Sequence, residues 1–134
     1  MTNAIATIIL ALALQEGRGK INHKATGKVG EVGSLQITQT MLNDHYRRTK
    51  VRYTPSQART WPVATNVATA YLGYYGRGTW TPEQCAVGWN AGPDLAPRVE
   101  DYVTGFNRYH AWVLRFDSVG AAYTNALKSR VKLD

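Results

Sequence analysis

The chain has 134 residues, 44% of them hydrophobic and 19% charged, which suits a single domain (1–134) with a buried core and excludes a disordered polymer. Sixteen Lys and Arg against nine Asp and Glu leave a formal charge of +7, so a polyanionic partner is favoured: nucleic acid, anionic membrane or bacterial cell wall. The only cysteine is Cys85, which excludes an intramolecular disulfide framework and makes folding in a reducing cytoplasm the simpler expectation.

The run AIATIILALAL, residues 4–14, is apolar on nearly every face. No Lys or Arg precedes it, which argues against a secretory signal, and its 11 residues fall short of an ordinary membrane span. Ala and Leu are strong helix formers; Thr2 or Asn3 can cap the start and Gly17 can end it. A helix that is apolar all round belongs inside a domain. Glu16 then rides on the last turn of a buried element, where partial loss of water raises a carboxyl pKa and suits it to general acid work. The alternative is a solvated residue at a frayed helix end.

Residues 17–37, GRGKINHKATGKVGEVGSLQI, hold five glycines and little helical periodicity, so they read as a loop with a short hairpin. Gly27, Gly30 and Gly33 come at intervals of three and allow positive φ and the close approach of a ligand. Among them stands Glu31, either a solvated turn residue or a second carboxylate facing Glu16 across a cleft. From Thr38 the chain reads as mostly helical. Thr38 caps a helix through about Arg47, and the basic segment RRTKVRYTP, residues 47–55, reads as a surface connection. Pro62 opens the next helix, with Val63, Val67, Ala70 and Tyr71 at helical spacing, and Gly76 and Gly78 stop it.

TPEQ, residues 81–84, combines a capping threonine, proline at the first helical position and glutamine three residues after the cap. The helix it starts ends by WNAGP, residues 89–93. Phe106, Tyr109, His110, Val113 and Phe116 repeat every three or four residues, and a last helix spans about 118–131. The expected fold is therefore mainly α, with a short β-hairpin region lining a cleft. His23, His45 and His110 lack metal-site spacing, so neither a metal nor a cofactor is expected. His110 and Cys85 read as packed core residues, Glu83 as a first-turn helix carboxylate, and Asp94, Glu100 and Asp101 as solvent-facing.

Four segments in order, Glu16 in QEGRG, Gly33-Ser34-Leu35-Gln36-Ile37, Asn90-Ala91-Gly92-Pro93 and Tyr102-Val103, resemble the lysozyme superfamily, with its transglycosylase-type and phage or invertebrate-type members. In that family the catalytic Glu ends the first helix, usually as Glu-Ser-Gly. A Gly-x-x-Gln-Ile segment follows, then an Asn-Ala-Gly-Pro turn and Tyr-Val. This chain departs from the pattern at Gly17, where serine is usual, at Ser34, where proline or leucine is common, and at Trp89, where tyrosine or histidine often precedes the asparagine. It also lacks the many cysteines of the invertebrate enzymes, which suits a phage or bacterial source.

The resemblance implies an α+β lysozyme-like fold and cleavage of the β-1,4 bond between N-acetylmuramic acid and N-acetylglucosamine in bacterial peptidoglycan. Glu16 would be the general acid and Glu31 the second carboxylate. Ser34, Gln36, Trp89, Asn90 and Tyr102 would bind substrate, with Trp89 and Tyr102 able to stack on sugars and Tyr71 better read as core. Carboxyl groups about 6.5–9.5 Å apart imply inversion and about 5–5.5 Å retention. In a third route the sugar's own acetamido and 6-hydroxyl groups complete the reaction and give a 1,6-anhydro product. Availability of Glu31 favours hydrolysis, the action of a muramidase.

The remaining expectations are a monomer with neither a nucleic-acid partner nor stable membrane insertion. It would be made in a bacterial cytoplasm and act on the wall in the periplasm or outside, as a phage endolysin does. The rival readings are a nucleic-acid binder using residues 47–52 with Tyr46 and Tyr53, and an inactive wall-binding domain, against which the retained Glu16 argues.

Overall fold

The computed structural model describes residues 3–17 and 20–98. Tyr102, Val103, Glu100, Asp101, His110 and the helices expected around 106–116 and 118–131 lie outside the described residues. The described part is mainly helical: α1 (Asn3–Glu16), α2 (Gln39–Thr49), α3 (Pro55–Ala58), α4 (Trp61–Gly76) and α5 (Pro82–Ala91), followed by a 3₁₀ turn at Ala96–Arg98.

Ile8, Ile9, Ala11, Leu12, Ala13 and Leu14 are all buried. These positions cover most sides of the helix, with Ala6 exposed and Leu10 half-buried, so α1 needs neighbours on more than one face. It packs against α4 and α5, and α4 in turn packs against α2, α3 and α5. Ala64, Val67, Ala68, Tyr71 and Leu72 are α4's buried residues in this shared core.

The expected hairpin is reduced to isolated antiparallel bridges through Val32, to Thr26 on one side and Ile37 on the other. Val32 and Ile37 exchange backbone hydrogen bonds of 3.0 Å each. Gly33 has a φ of +76°, and a Cβ there would press on the backbone of Ala58 and Arg59. Arg59 reinforces this contact: its guanidinium donates to the carbonyls of Lys24 and Ala25 and to the Thr26 hydroxyl. The loop is thereby fastened to the junction of α3 and α4.

Helix ends follow their caps, with three corrections to the sequence reading. Thr38 Oγ1 accepts the Met41 N–H at 3.1 Å, as expected, but α2 continues to Thr49 and turns out of the helix at Lys50, whose φ is +64°. Asp44 pairs with Arg47 and Arg48 one turn on, so these basic residues belong to the helix and not to a connection. The second correction is α3, which was not foreseen although Thr54-Pro55-Ser56-Gln57 forms the same capping box as Thr81-Pro82-Glu83-Gln84. The third concerns the end of α4, where the left-handed residue is Arg77 at φ +49° and neither Gly76 nor Gly78 takes that cap position. Gly76 serves packing instead: a Cβ on it would crowd the Trp80 indole.

Two predictions follow from this packing. Asp44 accepts hydrogen bonds from Arg47, Arg48 and the Tyr75 hydroxyl. Burial alone would raise its pKa, but these donors and the Arg48 charge outweigh it and hold the carboxyl below its ordinary value of 3.8. With the folded pKa below the unfolded one, the contribution to stability is complete above pH 3.8 and is lost as the pH falls through the lower folded value. Asp44→Asn should cost about 3 kcal/mol at neutral pH, because it leaves Arg48 buried without its carboxylate. Urea unfolding at pH 7 and pH 3 checks this, the gap between the proteins narrowing in acid.

The second prediction concerns Gly88 in α5, where a Cβ would overlap the Trp80 ring and crowd the Ala96 methyl. Helix propensity favours Gly88→Ala by about 1 kcal/mol, and overpacking opposes it by about 1–3 kcal/mol. Because the ring is already wedged against Gly76, overpacking should win, and the variant should melt below the wild type in a calorimetric scan.

Candidate active site

The last turn of α1 delivers Glu16, half-buried, to a cavity of about 100 Å³ lined by Glu16, Gly17, Asn22, Ala25, Gly33, Ser34 and Gln36. The Gly17 N–H still donates to Ala13 O at 3.0 Å, continuing the helical pattern, and the Lys20 N–H then donates back to Gly17 O. A Cβ on Gly17 would overlap the Lys20 carbonyl oxygen. This explains the absence of serine after the acid: the chain turns back too tightly for any side chain.

Gln36 has a φ of +52°, a left-handed conformation that costs a non-glycine residue about 1–2 kcal/mol. Its backbone N–H and its side-chain Nε2 both donate to Gly33 O, at 3.1 and 2.9 Å, and this double bond offsets the strain. Ser34 is 3% exposed, and its hydroxyl lies 2.8 Å from His23 Nδ1. Glu16, Ser34 and Gln36, drawn from separate stretches of chain, therefore line one cavity.

Glu31 does not join them. Its carboxylate accepts the Val29 N–H at 2.8 Å and folds over Gly27, where the missing side chain leaves room for it. It is not among the residues that line the Glu16 cavity.

Trp89 and Asn90 line a larger groove of about 590 Å³, shared with Thr38, Met41, Asp44, Tyr71, Tyr75 and Pro93. Trp89 is 3% exposed; its indole N–H donates to Leu35 O, and its ring meets Tyr71 edge-on with centroids 5.3 Å apart. With so little surface exposed, Trp89 offers no ring face for a sugar to stack on, against expectation. Tyr71 is core as expected, its hydroxyl donating to Gly88 O at 2.8 Å. Asn90 lies in the last turn of α5, which ends at Ala91 and is capped by Gly92 at φ +104°. Tyr102 lies outside the described residues.

Sequence reasoning missed Asp44, although its spacing to Arg47 and Arg48 is a signal for helical ion pairs. As a carboxylate held ionised by these partners, it has no proton to give. Cys85 is buried in α5 and burial pushes its thiol up to about 11, unfit for a nucleophile at neutral pH. Among the described residues no group of three His, Cys, Asp or Glu is placed to hold a metal, and no helix is long and apolar enough to cross a membrane. Among the described residues, the small cavity is lined by one residue with a carboxyl group, Glu16, together with Asn22 and Gln36, which carry side-chain amides, and Ser34, which carries a hydroxyl.

Restoring the usual serine at Gly17 should harm this protein. We expect Gly17→Ser to cost about 1–3 kcal/mol through overlap with the Lys20 carbonyl. Denaturant unfolding reads this directly, and an unchanged midpoint would mean that the turn has slack.

The family model of the transglycosylase SLT domain matches residues 1–111, most of the chain. Comparison with curated proteins and with solved structures gave no match. The matched span takes in the whole described structure, from the buried helix that carries Glu16 to the Asn-Ala-Gly-Pro turn after α5. The chain belongs to the transglycosylase SLT domain family, and so to the lysozyme-like enzymes that act on peptidoglycan.

Proposed function

We propose that the chain is a lytic transglycosylase that cuts the β-1,4 bond between N-acetylmuramic acid and N-acetylglucosamine with Glu16 as both acid and base. The observation that carries this reading is the lack of a second carboxylate among the described residues lining the Glu16 cavity. The Glu31 carboxylate accepts a hydrogen bond within its own turn and Asp44 is paired with two arginines, which supports a route that needs no second carboxylate. The muramidase reading needs Glu31 at the reacting sugar, and the single-acid route does not.

In that route the Glu16 carboxyl proton passes to the glycosidic oxygen as the bond to muramic C1 breaks, freeing the 4-hydroxyl of N-acetylglucosamine. The acetamido oxygen of the same muramic residue bonds to C1 and carries the positive charge. Glu16, now a carboxylate, takes the proton of the muramic 6-hydroxyl. That oxygen displaces the acetamido oxygen at C1 and closes the 1,6-anhydro ring. Asn22 and Gln36 can donate and accept hydrogen bonds to the sugar around this exchange. The +7 charge suits the phosphate-rich polymers of a bacterial envelope. We place the action on the wall, in the periplasm or outside the membrane, after synthesis in the cytoplasm.

Mass spectrometry of fragments released from purified peptidoglycan tests the reading. Chains ending in 1,6-anhydromuramic acid, lighter by one water than hydrolysis products, are expected from the wild type and none from Glu16→Gln. Glu31→Gln should keep its rate within a few fold. Reducing muramic ends together with a loss of orders of magnitude in Glu31→Gln would restore the muramidase.

A further inference from the structure

His23 was set aside in the sequence because its spacing fits no metal site. In the structure its Nδ1 lies 2.8 Å from the hydroxyl of Ser34, and Ser34 lines the Glu16 cavity. We propose that His23 is a positioning residue of the glycosidase, which holds the Ser34 hydroxyl in a fixed orientation inside the cavity where Glu16 works. The proposal rests on Glu16 being the acid and is independent of which product is formed.

Three observations support it. A serine hydroxyl has one proton and two lone pairs, and without a fixed partner it rotates. The bond to Nδ1 commits one of these and determines what Ser34 presents to the rest of the cavity: an acceptor if its proton goes to Nδ1, a donor if Nδ1 carries the proton. Ser34 is also too deeply buried for solvent to supply a competing partner. It stands beside Gly17, whose tight turn keeps the end of α1 without a hydroxyl of its own.

The second observation concerns the far side of the imidazole. His23 Nε2 is buried with no hydrogen-bond partner among the described residues. A nitrogen left in that state costs stability, and a carbocyclic ring would fill the position without that cost. Packing therefore does not account for histidine here, whereas the Nδ1 bond to Ser34 does.

The third observation is that the ring is held still. It packs against Trp61, the first residue of α4, with centroids 5.9 Å apart and planes inclined by 54°. The next residues of its loop are fixed by the Lys24 N–H bond to Asn22 Oδ1 and by the Arg59 clamp on Lys24, Ala25 and Thr26. A side chain that acts by orientation needs such support, because a small misplacement near the reacting atoms carries a large rate penalty.

The experiment is a double-mutant cycle read on a soluble, uncrosslinked peptidoglycan strand, with thermal unfolding of each protein alongside. Ser34→Ala and His23→Phe should each lower kcat about tenfold or more with KM little changed, and the double variant should fall no further than the worse single one. His23→Phe exchanges one unpaired buried group for another, the Nε2 nitrogen for the Ser34 hydroxyl, and should melt close to the wild type, while the double variant, which removes both, should melt no lower. His23→Asn, whose amide can stand in for Nδ1, should recover most of the lost kcat. Wild-type kcat in His23→Phe, or losses that multiply in the double variant, would overturn the proposal. If the phenylalanine variant does not fold, His23→Asn decides: a loss as deep as that of Ser34→Ala overturns the role. Anhydro content is read in the same runs, so hydrolytic products with an intact His23 effect would sink the transglycosylase reading while supporting this one.

Discussion

A helix without a polar face has to be enclosed, and α1 is such a helix. Ile8, Ile9, Ala11, Leu12, Ala13 and Leu14 are buried, so α4 and α5 pack against it and the rest of the described core builds outward from α4. Enclosure also fixes the helix axis. Glu16, two residues past the apolar run, is thereby held in place by many small contacts instead of by a loop. A carboxyl group is mounted on the most apolar of the described helices, half-buried beside a cavity.

A second level of organisation lies in the segment Gly33–Thr38. Gly33, Ser34 and Gln36 line the Glu16 cavity, and Thr38 caps α2 and lines the larger groove. Leu35 is buried between them, and its carbonyl receives the Trp89 indole N–H, tying the segment to α5. Gly33 meets the backbone at Arg59, tying the same segment to the start of α4. Such cross-links explain how Gln36 can be kept in a left-handed conformation: the surroundings determine its backbone more strongly than its own preference does. Strain at a residue facing the cavity is consistent with a site shaped for its ligand.

Charge is used in a less obvious way than the net value of +7 implies. Arg47 and Arg48 pair with Asp44, and Arg48 also lies over the rings of Tyr74 and Tyr75 at 5.1 and 5.4 Å. Arg52 stacks on Tyr46 at 4.3 Å and bonds Asn43, while Arg59 is spent on the loop. Much of the basic segment that suggested a polyanion site in the sequence is thus engaged in holding α2 and its neighbours. These contacts leave the arginines charged, so the long-range attraction to an anionic envelope persists.

The sequence by itself determined the elements whose signals are local. The apolar run marked α1, Thr38 and the Thr81-Pro82-Glu83-Gln84 box marked helix starts, and the order of Glu16, Gly33–Ile37 and Asn90–Pro93 marked the family. The helix signals depend on residues within a turn or two of one another, where propensity and capping act, and each family motif is likewise a short contiguous stretch. Tertiary structure decided what depends on residues far apart in the chain. It folded the Glu31 carboxylate over Gly27, buried the Trp89 ring against Leu35 and Tyr71, and brought His23 to Ser34. The sequence could show that these side chains were chemically able to serve a site. Only packing could say which of them reach it, because a carboxylate, an indole or an imidazole reads the same in a sequence whether it faces a cavity, a neighbour or its own turn.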